Sequence, residues 1–201
     1  MRPKRPTIRS SLLGIHRVIL QIQHLASRVS NTVALSNLEM VVIALEDRRF
    51  FLHAGYDWRS ICRELIKALM FRRFGGASTI DIQLFRTVSN RYERSTRRKI
   101  REAVGAFALQ RKVSKIHILR VYLANAYFGT GLTGADSASL EIFQKFADEL
   151  TIDEAAVIAS MLVYPKPRLP SANWHAKISR RANYGGFLVR SSKERFYKIN
   201  R

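Results

Sequence analysis

The chain has 201 residues, 47% of them hydrophobic, and carries 35 Lys and Arg against 15 Asp and Glu, a formal charge of +20. That length suits one domain with a sizeable core, and the hydrophobic share excludes a disordered polycation. One cysteine, Cys62, excludes an intramolecular disulfide and a cysteine-rich metal site, while the charge demands an anionic partner: nucleic acid, anionic lipid or a diphosphate-bearing substrate.

The prolines are Pro3, Pro6, Pro165, Pro167 and Pro170, so nothing between 7 and 164 interrupts a helix. Few β-branched runs alternate as strands do. A mainly α protein is expected. Residues 1–38 contain no acid, and Arg2, Lys4, Arg5, Arg9, Arg17 and Arg28 are interleaved with Leu12, Leu13, Ile15, Val18, Ile19, Leu20, Ile22 and Leu25. The stretch is too short and polar to span a bilayer and has no signal-peptide pattern. Two readings fit it: a basic amphipathic helix lying on a membrane, or a packing helix of the domain.

Residues 37–55 read as an apolar helix that delivers Glu46 and Asp47 at its end, followed by a turn with Phe50, Phe51, His53 and Gly55. A carboxylate directly after Val-Val-Ile-Ala-Leu is expected to be partly desolvated, which suits proton transfer. The alternative is an exposed helix-end acid paired with Arg48 or Arg49. Residues 56–74 read as an amphipathic helix stopped by Gly75 and Gly76.

The run 75–102 opens on Gly-Gly-Ala-Ser-Thr and then gathers Arg86, Arg91, Arg94, Arg97, Arg98, Lys99 and Arg101 before one acid, Glu102. If residues 94–110 form one helix at roughly 100° per residue, Arg94, Arg98, Arg101 and Glu102 share one arc. Ile100, Ala103, Val104 and Phe107 take the other side, which is then the expected core face. A solvated basic helix with an Arg98–Glu102 pair explains the arc. So does a phosphate site, since glycines let backbone approach a ligand and Ser78 and Thr79 can cap an anion-favouring helix start.

Further along, residues 115–128 read as a helix, and Gly129, Gly131 and Gly134 as a loop. Residues 135–146 resume helical spacing, and Thr151 and Glu154 have capping-box spacing before an apolar helix over 150–162. Pro165, Pro167 and Pro170 force an extended segment. From Lys177 the chain reads as a basic tail.

Together these segments resemble the glycosyltransferase family 51 domain, the peptidoglycan glycosyltransferase module of penicillin-binding proteins and of monofunctional transglycosylases. Five motifs stand in order over about residues 33–190. They are Glu46-Asp47-Arg48-Arg49-Phe50 with His53 and Gly55; Gly76-Ala77-Ser78-Thr79-Ile80 with Gln83 and Leu84; Arg98-Lys99 with Glu102; Ile118-Leu119, Tyr122-Leu123, Tyr127-Phe128-Gly129, Gly131 and Gly134; and Leu150 to Leu162 with Tyr164-Pro165 and Arg180-Arg181. The resemblance implies a basic amphipathic segment (1–32), the family domain (33–190) and a basic tail (191–201). It also implies a lysozyme-like helical fold with a large lobe and a smaller membrane-facing one.

The implied activity is polymerisation of the lipid-linked disaccharide lipid II into a growing glycan strand, with inversion and loss of undecaprenyl diphosphate. Glu46 matches the base acting on the acceptor 4-hydroxyl. Glu102 matches the second acid, near the diphosphate, where a divalent cation (Mg or Mn) is implied. Ser78, Thr79, Gln83, Arg86, Arg94, Arg98, Lys99 and Arg101 match substrate-binding positions. Asp47, Phe50, His53, Gly55 and Gly76 match structural ones. Arg86 and Arg101 stand where the family commonly has Lys.

The sequence departs from the pattern at Asp81, Ile82, Thr87 and Ala124. Asp81 is expected to bring a negative charge near the diphosphate positions, which makes a non-catalytic precursor-binding relative the alternative. No transpeptidase sequence follows and no transmembrane anchor is evident. A monofunctional enzyme bound peripherally to the anionic outer face of the cytoplasmic membrane is therefore expected, with no nucleic-acid partner.

Overall fold

A computed structural model describes residues 8–32, 34–57, 78–93 and 95–192. The expected helix over 56–74, Cys62, Gly76 and Arg94 fall wholly or almost wholly outside the described residues. The helices are α1 (Ile8–Ala26), α2 (Asn37–Glu46), α3 (Ile80–Ser89), α4 (Thr96–Leu109), α5 (Lys115–Asn125), α6 (Ala135–Phe143), α7 (Ile152–Met161) and α8 (Ala172–Ser191). A 3-10 turn covers Phe50–Leu52, and the strands β1 (Tyr127–Gly129) and β2 (Leu132–Thr133) form an antiparallel ribbon. The mainly helical architecture expected from the proline spacing is present. The chain divides into two compact units, residues 1–29 with 51–121 and residues 30–50 with 122–201.

In the first unit α1 packs on α3 and α4, and α3 packs on α4. Ile15, Val18, Ile19 and Ile22 form the buried stripe of α1 at helical spacing, while Leu12, Leu13 and Leu20 stay exposed. So α1 is a packing helix that also carries an outward apolar side. Thr79 caps α3, its Oγ1 accepting from the Ile82 amide at 3.4 Å, and Asn90 ends the helix in the left-handed region at φ 48°. Ser95 caps α4 by accepting from the Arg98 amide at 3.1 Å.

The expected core face of α4 is not the one observed. Ile100, Val104 and Phe107 are exposed, by 61%, 46% and 38%. The buried stripe is instead Glu102, Gly105, Ala106 and Leu109, the i, i+3, i+4, i+7 set that begins at the carboxylate. Sorting the wheel by hydrophobicity put the acid outside. Its charge is accepted inside because α3 supplies a cation, as described below. At Gly105 an added Cβ would lie 2.3 Å from the Phe85 ring, so α3 and α4 meet at a distance only glycine allows.

In the second unit α2, α7 and α8 pack mutually. Both α2 and α7 start on capping boxes, Ser36 with Glu39 and Thr151 with Glu154. Of the segment read as a basic tail, residues 177–191 belong to α8, the longest helix described, and residues 193–201 lie outside the described residues. Arg180 and Arg190 are exposed, and Ile178, Ala182, Gly185 and Val189 are buried. A Cβ at Gly185 would come within 2.9 Å of Leu45 on α2. The glycine loop at 129–134 is the β1–β2 ribbon, and Lys166 extends it by exchanging hydrogen bonds with Phe128 and Thr130. Prolines on both sides of Lys166 hold it extended, which explains why that segment pairs like a strand. The expected helices over 115–128 and 135–146 end earlier, at Asn125 and Phe143.

Candidate active site

In the second unit α2 ends at Glu46, and Asp47 forms its C-cap, donating its amide to the Ile43 carbonyl. Asp47 and Phe50 are buried, and the Phe50 amide donates back to the Asp47 carbonyl at 2.9 Å. This turn fixes where the Glu46 side chain leaves the helix. Glu46 is only 12% exposed and accepts from Nη2 of Arg181 on α8 at 2.5 Å. The carboxylate is therefore partly desolvated, as expected. This partner comes from another helix and is not one of the neighbours named above. Arg48 donates to the Ala44 carbonyl and to the Tyr184 hydroxyl, with its guanidinium 5.7 Å from the Tyr184 ring. Sequence reasoning left Arg181 and Tyr184 out of the site; the only signal was the Arg180-Arg181 pair.

In the first unit Glu102 is 3% exposed and both its oxygens are taken. Arg86 grips it with two nitrogens, Nε to Oε1 at 3.0 Å and Nη2 to Oε2 at 2.9 Å, and Arg98 adds Nη1 to Oε1 at 2.6 Å. A bidentate guanidinium–carboxylate fork of this kind needs arginine. The Nε atoms of Arg98 and Arg101 are also buried, with no hydrogen-bond partner among the described residues. Burial, then the nearby Arg91, push the Arg101 guanidinium below its ordinary range, and Glu93 and Glu102 partly oppose them. Arg101 also lies against α1, where a Cβ on Gly14 would come within 3.2 Å of its Nη2. Lys99 is exposed, and Ser78 and Gln83 are half-buried.

The remaining predicted residues have local tasks. The Thr79 hydroxyl is buried and donates to the Gly55 carbonyl at 2.7 Å besides capping α3. Gly55 has φ 87°, and a Cβ there would lie 2.7 Å from the Ala106 carbonyl. The His53 carbonyl accepts from the Gln110 side chain at 3.3 Å. Gln110 also donates to Oδ1 of Asp81, whose Oδ2 takes Lys115 Nζ at 2.9 Å. Asp81 is fully buried in this arrangement. It sits five positions from Arg86, about 140° round α3, and its charge is matched by Lys115. Thr87, another departure, donates its hydroxyl to the Gln83 carbonyl within α3.

A divalent cation of the Mg or Mn kind takes about six oxygen ligands. Three guanidinium N–H groups already occupy the two Glu102 oxygens, and Arg86, Arg98 and Arg101 would repel a cation from it. The residues around Glu102 do not fit such an ion. They fit an anion.

The family model described as Transglycosylase matches residues 17–185. The chain is 38% identical over 130 residues to penicillin-binding protein 2a of Streptococcus pneumoniae, covering 65% of this chain and 17% of that protein. It is 36% identical over 153 residues to penicillin-binding protein 1A of Rickettsia felis, covering 74% and 19%. With the biosynthetic peptidoglycan transglycosylase of Acinetobacter baylyi it shares 37% over 131 residues, covering 65% and 58%. The matched regions thus span under a fifth of the penicillin-binding proteins' length and just over half of the transglycosylase's.

Proposed function

The chain belongs to the transglycosylase family, and we propose that it is a peptidoglycan glycosyltransferase that polymerises lipid II with inversion and release of undecaprenyl diphosphate. The observation that carries this reading is the Arg86–Glu102–Arg98 cluster with Arg101 beside it, which leaves two buried guanidinium N–H groups lacking acceptors. Such donors, already desolvated and fixed, suit charge that develops on a departing diphosphate. The resemblance assigns Arg94 a phosphate-binding role as well, although this residue lies outside the described residues.

In this scheme the acceptor 4-hydroxyl attacks the anomeric carbon of the growing strand. The bond from that carbon to the diphosphate oxygen breaks, its electron pair leaves with the diphosphate, and the hydroxyl proton passes to Glu46. Arg181 holds the Glu46 side chain in place before substrate arrives. Asp81 and Thr87 leave the cationic cluster intact, which favours turnover over the precursor-binding alternative. Whether the enzyme acts alone, without a transpeptidase, is part of the same proposal.

The reading also places the first unit as the membrane-facing lobe, at the outer face of the cytoplasmic membrane. No described helix is long and apolar enough to cross a bilayer. The outward residues Leu12, Leu13 and Leu20 of α1 and Ile100, Val104 and Phe107 of α4, among many cations, suit peripheral contact with anionic lipid. Replacing Ile100, Val104 and Phe107 by Ser should weaken sedimentation with anionic vesicles, and undiminished binding would count against this placement.

The activity test is glycan-strand formation from purified lipid II in detergent, with wild type beside Glu46→Gln. Polymer from wild type alone, at matched thermal stability, is expected. Equal polymer from both would overturn the assignment of Glu46.

A further inference from the structure

Glu102 presents a puzzle if it is read as a free acid. Its carboxylate is on the buried stripe of α4, both oxygens accept from guanidinium groups, and two of the three donors come from one arginine on another helix. A group arranged this way holds cations in place; it does not receive one. The arginines it holds still have N–H groups to offer. Arg86 uses Nε and Nη2 on Glu102, so Nη1 remains, and the Nε of Arg98 and of Arg101 lacks an acceptor among the described residues. One carboxylate among three guanidinium groups leaves a positive excess, with unsatisfied donors in a desolvated setting where hydrogen bonds to charge are strong.

We propose that Glu102 serves as an anchor for guanidinium groups and not as a cation ligand, so that this chain meets a diphosphate with protein charges alone and needs no divalent cation. The proposal rests on the polymerase reading for the identity of the diphosphate, but the role of Glu102 stands on geometry. Arg86 is the decisive residue. Lysine has one nitrogen, and at position 86 it could cover only one carboxylate oxygen, leaving the other open to an ion. Arginine engages both at once and sets its delocalised charge against an approaching cation. Arg86 and Arg98 are therefore positioning residues for each other through Glu102, and binding residues for the anion.

Two measurements on the intact wild-type chain decide this. The first adds Mn2+ to isotope-labelled protein and reads paramagnetic broadening of amide NMR signals. Glu102 and Arg86 should broaden no more than other surface-averaged positions. Selective broadening centred on Glu102 would overturn the proposal without any variant that might misfold. The second compares strand formation from lipid II in excess EDTA and in millimolar Mg2+. Equal rates in both are expected, and polymer formed only with the cation would overturn the claim of independence. If neither condition yields polymer while Glu102 stays sharp, the anchor role is upheld and it is the polymerase reading that fails.

Discussion

Nη2 of Arg181 donates to Oε1 of Glu46 at 2.5 Å, joining α8 to the end of α2 across 135 positions of sequence. Both side chains are mostly out of water, at 23% and 12% exposure. Arg181→Met therefore removes a charged donor from a partly buried carboxylate, at a cost of about 1–3 kcal/mol. In the double variant with Glu46→Gln most of that loss should disappear, because nothing charged remains to be stranded. Urea midpoints of the four proteins measure this. Additive losses would show that the pair is incidental.

Asp81 and Lys115 make the harsher case, since Asp81 has no exposure at all. Lys115→Met should destabilise the chain by about 3–5 kcal/mol, the usual effect of removing one partner of a buried pair. Pairing it with Asp81→Thr should restore much of the stability, since the buried charge then disappears. Thermal melts decide between this and a pair that contributes little; a mild effect of Lys115→Met alone would point to the latter.

At Gly105 the ordinary expectation reverses. Gly to Ala inside a helix usually stabilises by roughly 0.5–1 kcal/mol, yet here the new methyl would sit 2.3 to 2.7 Å from Phe85 ring atoms. Overpacking of that kind costs about 1–3 kcal/mol. Gly105→Ala should lower the denaturation midpoint, and Phe85→Leu should partly rescue it. A raised midpoint for Gly105→Ala would mean that α3 yields more readily than its packing suggests.

The Glu154 carboxyl at the start of α7 is held down to about 2, first by Lys145 and then by the amide and hydroxyl of Thr151. A depressed acid stabilises the fold above its unfolded value and loses that contribution as pH falls through its folded value. Melting curves of wild type and Glu154→Gln should differ most above about pH 4.5 and converge toward pH 2. A gap that does not narrow with acidification would remove the carboxylate as its source.

Local signals read well in this sequence and distant ones did not. The capping box at Thr151 and Glu154 and the end of α2 at Glu46 are short-range patterns that the structure reproduces. The face of α4 was misread because the group that makes Glu102 tolerable inside is Arg86, sixteen residues away on another helix. A helical wheel contains no such information. In α8 the buried stripe includes Ala182 and Gly185, small residues whose hydrophobicity is lost among Lys177, Arg180, Arg181 and Arg190. Arg181 was visible as part of a motif, but its partner was not, since only folding brings α8 to α2. The glycines at 129–134 suggest a turn, and what makes them a ribbon is the backbone of Lys166, which pairs from beyond two intervening helices.

Because Glu102 shares its stripe with Gly105, Ala106 and Leu109, one side of α4 has two duties that cannot be edited separately. A screen that scores only product would record a methyl added at Gly105 as damage to chemistry, although the atoms it meets first belong to the Phe85 ring. The opposite confusion is equally open: a variant that frees Arg86 from Glu102 would register as a folding defect. Sorting the two requires each variant to be weighed once in the test tube of the denaturant and once in that of the substrate.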